Sequence, residues 1–260
     1  MDPPRVRSAA LGFDVNAVDY ERSRPSYPPE AMAHVCAVAG IDASSTVLDL
    51  AAGTGKLTRL LVDTGAEVLA VEPVGGMRAV LADALPEVTA LDGTAESIPL
   101  GDASVDAITV AQAFHWFDPP RALPEMRRVL RPGGSLLLIW NTRDREHDWV
   151  REFGDLLVDG DMERPYDSYY EVDYPAVIAE AGRGAFGDVA TWTTTWEQPC
   201  DEDLLVSRAA SVSVVGALEP DQRAVVLDRV RDLARTHPDL AGRATWGFPY
   251  TTRIFWCRAV

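Results

Sequence analysis

The stretch Val-Leu-Asp-Leu-Ala-Ala-Gly-Thr-Gly-Lys-Leu at residues 47–57 holds the residue types best suited to seat a cofactor. An apolar run ends around Asp49, and Gly53 and Gly55 stand where the next helix would begin. Glycines there permit positive φ and let the backbone approach a ligand closely. A phosphate loop of the form G-x-x-x-x-G-K-[ST] is excluded, because Leu50 occupies the first glycine position and Leu57 follows Lys56. The dinucleotide fingerprint G-x-G-x-x-G is weakened, since Thr58 stands at its third glycine. An adenosyl cofactor without that phosphate requirement is the third reading. It needs an acid at the end of the next strand, and Glu72 lies there, 17 residues beyond Gly55. A carboxylate can accept from two ribose hydroxyls at once. The plainer alternative is a solvated acid at a strand end.

Short β-branched runs alternate with helical spacing and must position these residues. The runs are Thr46–Leu50, Val68–Glu72, Val88–Leu91, Val105–Val110 and Ser135–Trp140, with helices expected over Leu57–Asp63, Met77–Leu85 and Pro120–Leu130. Arg131-Pro132-Gly133-Gly134 is a stop signal after the last of these. Strand–helix alternation predicts an α/β fold, a mostly parallel sheet with helices on both faces and a ligand beyond the carboxyl ends of the strands. After Trp140 the pattern changes. Residues 142–185 hold twelve acidic and five basic residues, with Trp149, Phe153, Tyr166, Tyr169, Tyr170 and Tyr174 among them. A strand over Phe186–Trp196, a helix over Pro220–Arg235 and a strand over Thr251–Cys257 follow. One domain is expected: a lid segment 1–28, a cofactor-binding core 29–141, a cap insertion 142–185 and C-terminal strands and helices 186–260.

Composition removes several function classes. Of 260 residues, 24 are basic and 40 acidic, a net charge of −16, which repels a nucleic-acid backbone. Cys36, Cys200 and Cys257 form no C-x-x-C, and the four histidines never pair at i, i+4, so neither a disulfide framework nor a metal motif is readable. No apolar run approaches a bilayer span. A cytoplasmic protein without a membrane partner is expected; its oligomeric state is not legible.

The ordered series VLDLAAGTGKL, VLAVEP, GTAESIPL, VDAITVAQAFHWFD and RRVLRPGGSLLLIWN resembles the class I S-adenosylmethionine-dependent methyltransferases, most closely their small-molecule branch with the trans-aconitate methyltransferase-like proteins. The segment YERSRPSYP at 20–28 resembles that branch too, and the likeness covers residues 13–143. It implies a seven-stranded Rossmann-like sheet whose last strand is antiparallel and inserted between two others. It implies S-adenosylmethionine as cofactor and S-adenosylhomocysteine as product. By position, Asp49, Ala51, Gly53 and Gly55 would line the methionine portion, Glu72 the ribose, and Pro73 and Met77 the adenine. Thr94, Ala95 and Glu96 would lie along the adenine edge; many relatives carry Asp where Thr94 stands, which moves the amino contact to Glu96 or to backbone. Ala111 would lend backbone to the amino-acid end, and Tyr20 and Arg24 would close over the cofactor.

His115 is either a general base or a packing residue between Phe114 and Trp116. Trp116, Tyr166, Tyr169, Tyr170 and Trp149 are candidate acceptor contacts, and Trp192 and Trp196 candidate core. Arg143 is the candidate partner of an acceptor carboxylate. The acidic insertion favours a neutral or cationic acceptor with at most one carboxylate. The expected reaction is direct in-line methyl transfer to a small molecule. A nicotinamide-dependent oxidoreductase and a non-catalytic S-adenosylmethionine-binding protein are the alternatives.

Overall fold

The computed structural model describes residues 24–157 and 172–260. Tyr20, Tyr166, Tyr169, Tyr170 and most of the expected lid lie outside the described residues. Seven strands form one sheet in the order β3-β2-β1-β4-β5-β7-β6. They are β1 (Thr46–Leu50), β2 (Glu67–Val71), β3 (Thr89–Leu91), β4 (Val105–Ala111), β5 (Leu130–Arg143), β6 (Ala190–Cys200) and β7 (Trp246–Arg258). The first five pair in parallel. The central β1 is buried from Val47 to Leu50 and β4 from Ala107 to Val110, the continuous apolar run that a strand covered on both faces requires. The chain ends antiparallel: Ala259 N donates to Gly134 O, while Asp144 N donates to Pro249 O. The expected inserted last strand is therefore present.

Helix α1 (Pro29–Ala39) precedes β1, and α2 (Lys56–Val62), α3 (Gly75–Ala84) and α4 (Pro119–Val129) connect β1 to β2, β2 to β3 and β4 to β5. In α4, Pro119 and Pro120 open the first turn, where no N–H is missed, and Leu123, Met126 and Val129 turn inward. It stops one residue before the expected end because Leu130 is already extended and pairs with Val105. The sequence reading did not single out α1, although Ala31, Val35 and Ala39 recur every fourth residue and are buried.

Strand β6 starts four residues later than expected and runs to Cys200. Its side chains alternate between exposed and half-buried, with Trp192 and Trp196 on the inner face. It is an edge strand, where Pro199 is tolerated.

The chain groups into two compact units. One, the sheet unit, comprises the described residues 26–141, 172–194 and 252–260. Its core joins Val47, Leu57, Leu61, Leu81, Ala107 and Ile139, with Trp192 packed at the margin and stacked on His34 at 4.5 Å. The other takes the described residues 24–25, 142–157 and 195–251. It contains α5 (Asp148–Leu156), α7 (Glu202–Ala210), α8 (Ser213–Gly216) and α9 (Pro220–Thr236); α6 (Tyr174–Ala181) belongs to the sheet unit. Phe153, Leu205, Val230, Phe248 and Tyr250 make the second core, with Trp196 beside it.

Candidate functional site

Sheet order reverses between β1 and β4, since the chain steps outward from β1 to β3 and returns on the other side at β4. A ligand crevice is expected beyond the carboxyl ends of strands at such a switch point. Both strands end there on a non-glycine residue at positive φ or immediately before one: Ala51 at 58° and Gln112 at 58°. Left-handed alanine is strained. Its backbone is held in place, because Ala52 N donates to Val71 O at 3.2 Å. Gln112 is anchored twice, by its N–H to Ile139 O (2.9 Å) and its side-chain amide to Asn141 O (2.9 Å).

Gly53 and Gly55 complete the turn with φ of 59° and 89°. Gly55 caps α2, and a Cβ there would come within 3.1 Å of the Leu81 side chain, which would have to shift. Gly53 faces Met77, whose sulfur would lie 3.9 Å from a Cβ built there. The turn is pinned by Glu72, whose Oε2 accepts from Gly53 N (2.8 Å) and Oε1 from Val74 N (2.8 Å). Only 4% of Glu72 is exposed. The sequence places it as a crevice acid outside the core; it is instead a buried acid that also holds the loop.

Asp49 is 1% exposed and accepts from Thr58 Oγ1 (2.6 Å) and Thr109 Oγ1 (3.1 Å). Burial, opposed by these hydroxyls and reinforced by the nearby Glu72 charge, pushes its carboxyl up to about 6. Burial likewise raises Glu72, against the pull of the Val74 and Gly53 amides. Thr58 and Thr109 were not singled out from sequence. Thr58, the residue that breaks the dinucleotide fingerprint, is the one that steadies Asp49.

Past β3, Thr94 and Ser97 exchange backbone hydrogen bonds around buried Ala95. Glu96 Oε1 accepts from Asp118 N at 2.9 Å. Ala111 ends β4, and a single 3-10 turn, Phe114–Trp116, carries His115. The His115 ring lies 4.6 Å from Trp116 and 5.3 Å from Trp140, and Trp140 stacks on Tyr174 at 5.3 Å. Burial pushes the His115 imidazole down to about 4. Trp140 and Tyr174 make an aromatic wall that periodicity could not reveal, because they lie far apart in sequence.

A family profile described as a methyltransferase domain matches residues 48–138. An uncharacterized methyltransferase of Mycobacterium tuberculosis is 46% identical over 248 residues, covering 95% of each chain. The chain belongs to the class I S-adenosylmethionine-dependent methyltransferases. An uncharacterized methyltransferase-like protein of Schizosaccharomyces pombe is 31% identical over 94% of this methyltransferase and 93% of its own length. Among solved structures, phosphoethanolamine N-methyltransferase 2 of Haemonchus contortus, in complex with S-adenosyl-L-methionine, superposes with a TM-score of 0.56 at 13% identity. That match covers 95% of this methyltransferase and 57% of the Haemonchus chain, and shows the fold. The nicotinamide alternative gives way to this assignment.

In the second unit of the methyltransferase, Arg24 donates to Ser211 O at 3.2 Å. The Arg143 guanidinium lies over the Phe153 ring at 5.4 Å. Trp149, expected from sequence to face an acceptor, is instead core: it is 3% exposed and packs edge-on against Phe248 at 4.9 Å. Its place on the apolar side of α5 with Val150 and Phe153 is the reason. No helix among the described residues is long and apolar enough to cross a membrane.

Proposed function

We propose that this cytoplasmic enzyme transfers the methyl group of S-adenosylmethionine in line to a nucleophilic atom of a small-molecule acceptor. The carrying observation is the pair of buried carboxylates, Asp49 and Glu72, at the switch point. Two carboxylates in a low-dielectric site repel a pyrophosphate and favour a cationic adenosyl ligand. When bound, the cofactor supplies an electrophilic methyl group. Asp49 offers its positive end a fixed counter-charge, and the spare lone pairs of Glu72 accept from the ribose. Ala51, Gly53 and Gly55 present backbone to the methionine portion, while Pro73 and Met77 flank the base. Thr94, Ala95 and Glu96 line its edge, and Ala111 offers backbone to the amino-acid end. Trp116, beside His115, contacts the acceptor. Alignment of two reactants can supply about 7–11 kcal/mol of the barrier, so little acid–base chemistry is required.

Calorimetric titration tests this reading. S-adenosylhomocysteine is expected to bind one per chain and NADH not at all; binding of NADH alone overturns it. Failure of a panel of small acceptors to be methylated while S-adenosylhomocysteine binds would leave only the non-catalytic alternative.

His115, with its ring at about 4 and neutral at pH 7, is too weak a base to take a proton from most acceptors. It is a positioning residue, packed between Trp116 and Trp140. His115→Phe is expected to keep more than about a tenth of turnover, whereas loss of a general base costs roughly 10²–10⁴. The pH–rate profile of the variant should keep the wild-type shape. A hundredfold loss together with a vanished pH inflection would make His115 the base.

A further inference from the structure

The second unit buries cations in a chain that is otherwise strongly acidic. Arg208 is 7% exposed, and its guanidinium lies over two aromatic rings, Phe248 at 5.5 Å and Tyr250 at 5.0 Å. Arg143 lies over Phe153, which itself packs edge-on against Phe248 at 5.6 Å. Two donors in this cluster, Arg143 Nη1 and Tyr250 OH, are buried and lack a hydrogen-bond partner among the described residues. Tyr250 is 1% exposed, so its hydroxyl is out of reach of bulk solvent. A native fold rarely leaves such donors unmade, and each one asks what group completes it.

Among the described residues, the neighbouring Cys200, Tyr250 and Asp201 supply no free anion to do so. The Cys200 thiol is pushed up to about 12 by burial and stays neutral. The Tyr250 phenol is raised by burial, against the pull of Arg208, Arg143 and Arg24, so it remains a donor. Asp201 is occupied as the cap of α7, its Oδ1 accepting from Leu204 N at 2.8 Å. That cap also removes the α7 N-terminus as a seat for a doubly charged phosphate.

We propose that Arg143 and Tyr250, in the positive field of Arg208, form a carboxylate-binding subsite, and that its ligand is a small acid with one carboxylate on an apolar or aromatic body. The guanidinium and phenol donors suit a planar carboxylate. The rings of Phe153, Phe248 and Tyr250 supply the apolar surroundings, and the chain's net charge of −16 disfavours a polyanion. Reading this acid as the methyl acceptor rests on the methyl-transfer reading above; the binding itself does not.

The test is calorimetry on the full chain with benzoate, benzamide, tricarballylate and inorganic phosphate, each with and without S-adenosylhomocysteine. Benzoate is expected to bind and benzamide not. Arg143→Met should weaken benzoate about tenfold or more and leave S-adenosylhomocysteine within about twofold. Tyr250→Phe should also weaken benzoate, yet raise the thermal midpoint of the ligand-free protein by about 2 °C, because it removes an unsatisfied buried hydroxyl. A purely structural tyrosine would show the reverse, a lower midpoint with unchanged benzoate binding, and that result overturns the subsite. So does equal binding of benzamide, tighter binding of tricarballylate, or binding of phosphate alone. If benzoate binds and S-adenosylhomocysteine does not, methyl transfer falls and the subsite stands; the opposite pattern removes only the subsite.

Discussion

Glu72→Ala is expected to weaken S-adenosylhomocysteine binding by about 10- to 100-fold, the range of a charge-assisted hydrogen bond worth roughly 1.5–3 kcal/mol. It is also expected to destabilise the fold, which the sequence alone did not suggest. The carboxylate holds the N–H groups of Gly53 and Val74, and its removal orphans both beside a glycine-rich turn. An orphaned buried donor costs about 1–3 kcal/mol. The raised carboxyl pKa shows that keeping the charge buried is itself unfavourable, so relief of that cost offsets part of the loss. The expected net is about 1–3 kcal/mol. Glu72→Gln separates the two roles: its carbonyl still accepts one N–H while its NH2 opposes the other, so stability recovers in part while cofactor affinity stays low. Denaturant unfolding and calorimetry on the two variants check this. A Glu72→Ala protein with wild-type affinity would remove Glu72 from the cofactor site.

The parallel half of the sheet was legible because its strands are buried on both faces and read as unbroken apolar runs. Val47–Leu50 and Ala107–Val110 have no solvent face to interrupt the pattern. The turn after β1 was legible because glycine marks positive φ, yet Ala51 and Gln112 adopt the same conformation without that mark. Their strain is imposed by hydrogen bonds to Val71 and Ile139, which no local pattern contains. The end of β4 carried its own warning in Phe114-His115-Trp116, but whether the histidine is charged depends on its burial, which distant residues such as Trp140 help to set. The acidic 142–185 segment was the least legible. It reads as one insertion, while its described ends divide, residues 142–157 joining the second unit and 172–185 the sheet unit. Net charge concealed the reason: the buried faces of α5 and α6 are set by Trp149, Phe153, Tyr174 and Ile178, not by the acids around them. Arg208 and Tyr250 were missed altogether, since a lone arginine or tyrosine in sequence says nothing of burial.

Asp49→Asn is expected to make the protein more stable and the enzyme worse, and the pH dependence of both effects identifies the cause. The Asp49 carboxyl titrates near 6 in the folded chain against an ordinary 3.8. Between these values the folded state binds more protons than the unfolded one, so stability falls as pH rises through about 4 to 6 and levels off above. The full difference is about 3 kcal/mol at pH 8, at about 1.4 kcal/mol per unit. Asparagine carries no charge to desolvate, and the Thr58 and Thr109 hydroxyls can turn to meet its amide. The variant should therefore gain up to that amount at pH 8, about 5–10 °C in midpoint, and nothing at pH 4. Cofactor binding runs the other way. A proton on Asp49 removes the counter-charge to the sulfonium, so wild-type affinity for S-adenosylmethionine should weaken as pH falls through about 6. The asparagine variant should bind weakly at every pH and show no such inflection. Thermal melts and calorimetry from pH 4.5 to 8 measure both curves. A wild-type affinity that is flat across that window would detach Asp49 from the cofactor, even if the stability curve followed the expected course.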